Sequence, residues 1–349
     1  MKSSNTQNIS VIFDWIQIEF LASAFSLDNI ISNILFMRPE LFIEVSGTLQ
    51  YYKFTKFLTH SNIKLYFGKK EKSILLIMSG TALEWYRTHI LASLDLSEID
   101  FIRHLNTNFE HFKLRRIDIA LDDFNSPPFY TPNLLLKYCQ KKQFNYGKST
   151  EYLPYGDEFV GQTLYLGKAG SNERIRIYDK RLEQAKKLKI PKNDIPPWIR
   201  TELSLRNEIA EAFVFELLER NLSLEKTLKG YLKEKVHFYE DPAFKKPLEQ
   251  WIHFLKDAKA IKISIPKQKT EFEQKIHWFV HQGPAALMNT IKFMNENNLF
   301  LKNEKEELAL INNKKFTVEL ADILIERAVS LGKNDLIPII KNNIKERGN

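Results

Sequence analysis

Hydrophobic and polar positions alternate with a period of two through most of the chain up to residue 206, and this pattern predicts short β-strands. The predicted strands are VIFDWIQIEF (11–20), LFIEVSG (41–47), KLYFG (64–68), SILLIMSG (73–80), RRIDIALDDF (115–124), TLYLG (163–167), RIRIYDK (174–180) and WIRTELSLR (198–206). Helical periodicity predicts helices at 82–94, 131–142, 208–220 and 223–235, and from about residue 270 onward only helical patterns remain. The predicted fold class is therefore α+β, followed by a small all-helical C-terminal domain after a break near SIPKQKT (264–270).

Two stretches of the strand-rich region are similar to each other. KLYFGKKEKSILLIMSGTALEW (64–85) aligns with TLYLGKAGSNERIRIYDKRLEQ (163–184) through Leu-Tyr-apolar-Gly-Lys, a polar turn, an alternating strand and a Leu-Glu pair at a helix start. We therefore predict duplicated antiparallel-sheet-plus-helix units that form one central sheet. Two hairpins that are alike by chance are the alternative. Only the second unit has a tyrosine and its arginine in the strand before the helix.

Three strands of the second unit combine an apolar face with a charged face, because side chains alternate across a strand. Strand by strand, the charged faces hold Arg116, Asp118, Ala120 and Asp122; Arg174, Arg176, Tyr178 and Lys180; and Arg200, Glu202, Ser204 and Arg206. If the strands are neighbours, three carboxylates collect around one tyrosine. Carboxylate oxygens without thiolates suit a hard divalent cation, Mg²⁺ or Mn²⁺. An ordinary solvated sheet face with cross-strand Arg/Asp pairs is the alternative.

Composition and charge narrow the function classes further. A net charge of +8 and a pI near 9.2 favour a polyanionic partner, although a lysine-rich solvated surface has the same charge. The single cysteine, Cys139, excludes an internal disulfide and a thiolate zinc cluster. The N-terminus lacks the pattern of a signal peptide, and no apolar run of about 18 residues is present, so we expect a cytoplasmic protein without a membrane partner.

RRIDIALDD, TLYLGKAGSNERIRIYDKRLEQ and IRTELSLR resemble, in order and spacing, the motifs of the Rep_trans family. This family comprises rolling-circle replication initiators of staphylococcal-type plasmids and related relaxases of Gram-positive conjugative elements. The opening VIFDWIQIEF also resembles the family's first strand, so that the resemblance covers about residues 10–235. It implies that Tyr178 is the nicking nucleophile, with Arg176 beside it, and that Asp118, Asp122 and Glu202 bind the metal.

The resemblance implies metal-dependent, site-specific nicking and joining of DNA through a 5′-phosphotyrosine, which initiates rolling-circle replication of a plasmid or mobile element. Arg176 and a metal are expected to favour the phenolate form of the tyrosine. The residues expected to bind DNA are Lys168, Arg174, Lys180, Arg181, Arg200 and Arg206. The expected domains are a non-catalytic first half (1–110), a catalytic second half (111–265) and a helical C-terminal domain (266–349).

The expected partners are an origin or transfer-origin nick site, single-stranded or in an extruded hairpin, and a host helicase. A homodimer is expected because the initiator cuts twice and each chain has one catalytic tyrosine. A relaxase of a conjugative element and a catalytically silent DNA-binding protein are the alternatives. A tyrosine recombinase would carry its tyrosine on a helix, and the β-branched alternation around Tyr178 argues against that class.

Overall fold

The computed structural model describes residues 8–46, 54–68, 72–146, 150–154, 162–256, 258–263, 284–297, 315 and 318–343. Contacts between residues divide the chain into two compact units, Met1–Ile265 and Pro266–Asn349. The break predicted at 264–270 and the helical pattern predicted just after it lie outside the described residues. No helix among the described residues has the length and the apolar character needed to span a membrane.

In the described part of the first unit, ten antiparallel strands form one sheet and two short strands pair separately. The strands are β1 (Ile9–Leu21), β2 (Ile43–Ser46), β3 (Lys56–His60), β4 (Ile63–Phe67), β5 (Ser73–Ser79), β6 (Phe112–Asp123), β7 (Phe144–Asn145), β8 (Thr150–Pro154), β9 (Gln162–Leu166), β10 (Glu173–Asp179), β11 (Ile199–Arg206) and β12 (His237–Phe238). The order across the sheet is β2-β3-β4-β5-β1-β6-β11-β10-β9-β8, and β7 pairs with β12. The prediction of an α+β fold built on a large antiparallel sheet is confirmed.

Helices connect the strands of the first unit, and the described elements of the second unit are all helices. The helices are α1 (Leu27–Asn29), α2 (Gly80–Tyr86), α3 (Glu98–Asn108), α4 (Pro132–Gln140), α5 (Lys180–Leu188), α6 (Glu208–Glu219), α7 (Leu224–Lys235), α8 (Glu249–Phe254), α9 (Pro284–Glu296), α10 (Val318–Ser330) and α11 (Leu336–Asn342). Helix α3, which was not predicted, begins at a capping box in which Ser97 and Asp100 satisfy each other's backbone N–H groups. In the second unit, α10 and α11 pack around Ala321, Ala328 and Ile340.

The hydrophobic core of the first unit lies between one face of the sheet and the helices of the same unit. Ile117, Ile175 and Leu203 are fully buried on this face, as the alternation predicts, and α6 packs on β6 and β11. Burial of such side chains contributes on the order of 1.5–3 kcal/mol each, so the core determines which face of each strand points inward. The charged residues of β6, β10 and β11 are thereby directed to the opposite face, here called the front face.

The two predicted halves share this sheet, because β1 of the first half pairs with β6 of the second. In each half, an antiparallel hairpin leads directly into a helix: β4 and β5 into α2, and β9 and β10 into α5. Ser79 occupies the position in the first copy that Tyr178 occupies in the second. The front face of the first half is an apolar cluster of Phe54, Tyr66, Leu75 and Ile77 with Trp15 and Phe57.

Candidate active site

Strand register brings the tyrosine and a carboxylate together on the front face. Strand β11 lies between β10 and β6, with Arg176 opposite Glu202 and Tyr178 opposite Arg200. The Tyr178 hydroxyl donates a hydrogen bond to Glu202 Oε1 at 2.5 Å. Both side chains are buried, Tyr178 being 8% exposed and Glu202 4%. The nucleophile predicted from the sequence therefore has a carboxylate acceptor in direct contact.

Arg176 binds the other oxygen of the same carboxylate. Its Nη2 pairs with Glu202 Oε2, and its guanidinium carbon lies 4.9 Å from the centre of the Tyr178 ring. The side chain is 41% exposed, so one edge of the guanidinium faces solvent while the other orients Glu202. Lys180, at the start of α5, places its Nζ 3.5 Å from the Tyr178 hydroxyl and 2.6 Å from Glu183. Two cations therefore border the phenol.

Arg200 forms the buried centre of the front face. Its Nε and Nη2 donate to the two oxygens of Asp122, each at 2.7 Å, and the Trp198 indole donates to Asp122 Oδ1 at 2.5 Å. Nη1 donates to Asp14 Oδ1 at 3.1 Å and lies 3.9 Å from Glu202 Oε1. Bidentate pairing fixes the guanidinium, which in turn holds one positive charge beside the Glu202 carboxylate.

Asp14 is a site residue that the sequence reasoning missed. The pairing of β1 with β6 shifts register between Phe13 and Trp15, which is the mark of a β-bulge. Phe13 is buried in the core and Ile16 follows on the same face, so the strict alternation of VIFDWIQIEF breaks at Asp14. That break in the alternation is the feature of the sequence from which the bulge could have been predicted. Through the bulge, the first half contributes the Asp14 carboxylate to Arg200.

Asp118 lies further along the front face, in a pair with its own strand neighbour. Arg116 donates from Nε to Asp118 Oδ1 at 2.9 Å and from Nη2 to Oδ2 at 2.5 Å. The same guanidinium lies 4.5 Å from the centre of the Trp15 ring. Asp123 follows Asp122 in the chain, and a shift of the strand register by one residue would place it on the front face instead of Asp122. In the structure Asp123 accepts hydrogen bonds from the backbone N–H groups of Asn125 and Phe129.

The resting tyrosine keeps its proton. Burial and the negative charge of Glu202 raise the pKa of Tyr178, although Arg176 and Arg200 act in the opposite direction. Arg176 thus acts in the expected direction, but burial and Glu202 outweigh it, and the effect of a metal on the phenolate stays a prediction. Burial also raises the pKa of Glu202, against the lowering effects of Arg176 and of the Tyr178 hydrogen bond. A protonated hydroxyl beside a carboxylate of raised pKa is the arrangement of a nucleophile with its general base.

The three carboxylates expected to bind metal do not fit a shared cation as they are placed. Each carboxylate accepts hydrogen bonds from an arginine, and these bonds occupy lone pairs that Mg²⁺ or Mn²⁺ would need. The pairs are Asp118 with Arg116, Asp122 with Arg200, and Glu202 with Arg176. Within the described ranges, no group of three His, Cys, Asp or Glu side chains is arranged to hold a metal ion.

The residues expected to bind DNA lie in different surroundings. Arg200 is buried under Asp122, and Arg181 donates to Asp179, the residue that caps α5. Lys168 is exposed in the turn between β9 and β10. Arg174 lies 4.0 Å from the centre of the Tyr165 ring, and Arg206 is half-buried at the end of β11. Arg174, Arg206 and Lys168 are thus placed to meet a ligand, whereas Arg200 and Arg181 are engaged by carboxylates.

Comparison with known proteins gives this geometry its context. Residues 112–309 match the family described as Replication initiation factor, Rep_trans, and residues 10–104 match the Rolling Circle replication initiation protein N-terminal domain. The candidate DNA relaxase NicK of Bacillus subtilis (strain 168) is 23% identical over 330 residues, which cover 89% of this chain and 90% of that protein. The rolling circle replication initiator protein of Geobacillus stearothermophilus has a similar fold, with a TM-score of 0.58 and 21% identity over 74% of this chain and 99% of that one.

The family matches and the similarity to a relaxase show a DNA-nicking enzyme that acts in replication initiation, and the fold agrees with them. The chain belongs to the Rep_trans family of replication initiation factors, whose match spans more than half of it. Proteins of this family bind DNA at an origin and are generally metal-dependent.

Proposed function

We propose that the protein nicks one DNA strand by attack of the Tyr178 hydroxyl on a phosphodiester. The Tyr178 oxygen bonds to phosphorus, the bond from phosphorus to the 3′ oxygen breaks, and the tyrosine proton passes to Glu202. The departing 3′ oxygen takes up a proton from water, and Glu202 returns its proton to solvent. The products are a 5′-phosphotyrosine and a free 3′-hydroxyl. Because the phosphotyrosine is still a phosphodiester, a second transesterification rejoins the strand without ATP. The observation that carries this proposal is the 2.5 Å hydrogen bond from Tyr178 to Glu202.

Arg176 and Arg200 supply the electrostatic part of the mechanism. Arg176 fixes the Glu202 carboxylate and has a solvent-facing edge that can meet the phosphoryl oxygens as negative charge develops on them. Arg200 is held too deeply to leave its carboxylates, so it contributes as a fixed positive charge below Tyr178. Fixed charges of this kind stabilise a transition state without having to reorient during the reaction.

The test of the nucleophile is the covalent adduct. Supercoiled plasmid that carries the origin is incubated with the protein, treated with detergent and examined for nicked DNA with protein attached. Tyr178→Phe should abolish nicking and attachment while DNA binding persists, because only a hydroxyl is removed. Nicking by the Phe variant at the wild-type rate would refute the assignment, and binding without any nicking by the wild type would favour a catalytically silent protein.

We further propose that Mg²⁺ or Mn²⁺ supports cleavage; to act as its ligands, Asp118, Asp122 and Glu202 would have to give up their arginine pairs. The arginine pairs described above stand against this ligand set, so no step of the mechanism is assigned to the metal. Chelator and metal titration test the proposal: a ligand variant such as Asp118→Asn should need more metal for half-maximal cleavage. Cleavage by the wild type that survives chelator undiminished would contradict metal dependence itself.

We propose rolling-circle initiation at a plasmid or mobile-element origin as the role of this nick, in agreement with the family's description. The second candidate is a relaxase that nicks a transfer origin, and the similarity to NicK over 89% of the chain favours it. Plasmids that carry either the replication origin or the transfer origin of the same element distinguish the two roles. The origin that is nicked at the lower protein concentration identifies the role.

We also propose three properties of the assembly. The protein acts as a homodimer, since two cuts need two tyrosines and Ser79 stands at the equivalent position of the first copy. A host helicase unwinds the nicked duplex, because nicking alone separates no base pairs. Residues 1–110 form the non-catalytic half, 111–265 the catalytic half and 266–349 a helical domain. Sedimentation with and without nick-site DNA tests the dimer: a monomer in both states that still releases closed single-stranded circles contradicts it.

A further inference from the structure

A cavity of about 200 Å³ opens on the front face next to the active site. It shares Arg176 and Glu202 with that site and extends from them to Arg206 at the end of β11. Four residues of a strand separate Glu202 from Arg206, which corresponds to roughly 13 Å. The cavity therefore begins at the base of the nucleophile and ends well beyond the reach of the scissile phosphate. We call it the arginine pocket.

Positive charge dominates the lining of the arginine pocket. Arg116, Arg174, Arg176 and Arg206 line it, against the two carboxylates of Asp118 and Glu202. Those carboxylates are already neutralised, because each accepts hydrogen bonds from an arginine of the same pocket.

Arg206 carries positive charge that the two carboxylates of the arginine pocket do not balance, because Arg116 is paired with Asp118 and Arg176 with Glu202. Arg206 and Arg116 are directly opposite each other across β11 and β6, a placement in which like charges repel. Among the described residues, no side chain forms an ion pair or a hydrogen bond with the Arg206 guanidinium. An anion between the two strands would turn this repulsion into attraction.

The size of the pocket selects the kind of anion. At about 200 Å³ it is smaller than the roughly 300–1,000 Å³ of sites that enclose a drug-sized ligand, so a whole nucleotide does not fit inside. A phosphate group with part of its sugar does. A base stacked on Tyr165 is disfavoured, because the Arg174 guanidinium already covers that ring at 4.0 Å. Arginine forks match the oxygens of a phosphodiester in geometry as well as in charge.

We infer that the arginine pocket binds one unreacting phosphodiester of the DNA strand, a fixed distance along the strand from the one that Tyr178 cuts. The inference rests on the proposed nicking function. The consequence concerns the position of the DNA strand: with one phosphate held at Arg206 and Arg116, a particular linkage meets the Tyr178 hydroxyl. The arginine pocket thus determines which linkage is cut through its distance from Tyr178, without contacting a base.

The test uses single-stranded oligodeoxynucleotides that span the nick site, each with one neutral methylphosphonate linkage at a different position. Binding is measured with two proteins that both carry Tyr178→Phe, which prevents cleavage. One keeps Arg206 and the other carries Arg206→Ala. The matched control is Arg220→Ala, which removes an exposed arginine at the C-cap of α6, away from the front face. Arg206→Lys keeps the charge without the fork, and thermal unfolding of each variant shows that it is folded.

One methylphosphonate away from the nick should weaken binding of the Arg206 protein roughly tenfold or more, as expected for loss of a charged hydrogen bond. Arg206→Ala should be weakened similarly on unmodified DNA, lose its sensitivity at that single linkage, and reduce the salt slope by about 0.7. Arg220→Ala should keep the affinity for unmodified DNA and the sensitivity at that linkage. Equal affinities for Arg206→Ala and Arg220→Ala, or an equal loss at every linkage, would overturn the pocket assignment.

The two proposals fail in different ways. Nicking by Tyr178→Phe at the wild-type rate refutes the nucleophile, whatever the methylphosphonate scan shows. The arginine pocket is refuted, and the nicking mechanism remains, if nicking requires Tyr178 but no methylphosphonate position loses its effect in Arg206→Ala.

Discussion

Glu202→Gln should lower the rate of strand cleavage by roughly 10²–10⁴-fold, the range in which a positioned general base contributes. At 1.36 kcal/mol per factor of ten, this corresponds to about 3–5 kcal/mol of transition-state stabilisation. The structure explains why the near-isosteric amide fails. Glu202 accepts from Tyr178 through Oε1 and from Arg176 through Oε2, whereas an amide has one accepting oxygen, so one of these two donors would face an NH₂ group.

The same substitution should leave the fold largely intact. Glu202 is 4% exposed and its pKa is raised by burial, so its charge is costly to keep there. Arg176, which would lose its partner, is 41% exposed and remains solvated. We therefore expect a folded variant whose unfolding midpoint is close to that of the wild type, and a loss of activity that is chemical rather than structural.

The assay is single-turnover cleavage of a nick-site oligonucleotide at saturating protein and metal, with the covalent adduct separated on a denaturing gel. The wild-type rate should fall as the pH is lowered through the raised pKa of Glu202, because the protonated acid cannot accept the tyrosine proton. This acidic limb should be absent in Glu202→Gln. A variant within threefold of the wild type at every pH would refute the general base, and full rescue by more metal would make Glu202 a ligand instead.

Arg176→Ala should slow cleavage more than it weakens DNA binding, with Arg176→Lys intermediate in cleavage; equal losses in rate and affinity would make Arg176 a simple phosphate contact. Arg200→Met should cost about 3–5 kcal/mol of unfolding free energy in urea, because it leaves the Asp122 carboxylate buried without its bidentate partner. Arg220→Ala, the exposed control, should stay within about 0.5 kcal/mol of the wild type in the same titration. Asp14→Asn should lower the free energy of unfolding less than Asp122→Asn does. Asp14 is 23% exposed and makes one hydrogen bond with Arg200, whereas Asp122 is 5% exposed and makes two. The reverse order would contradict the assigned network.

The sequence by itself determined which face of each strand carries chemistry. Side-chain direction alternates along any strand, so Ile175 and Ile177 being apolar already implied that Arg176 and Tyr178 point the other way. The hairpin-and-helix repeat and the resemblance of RRIDIALDD, RIRIYDK and IRTELSLR to one family were likewise readable without a structure. These are local properties, because each depends on residues that are close in the chain.

Only the tertiary structure decided which charges are paired. Arg200 meets Asp14, 186 residues away, because a bulge in β1 turns that carboxylate to the front face. Glu202 meets both Tyr178 and Arg176 because β11 pairs with β10 in one particular register. From the sequence the carboxylates were expected to bind a metal and the cations to favour a phenolate. Strand register paired them with each other, and burial left the tyrosine protonated, since desolvation depends on everything packed around a group and not on its neighbours in the chain.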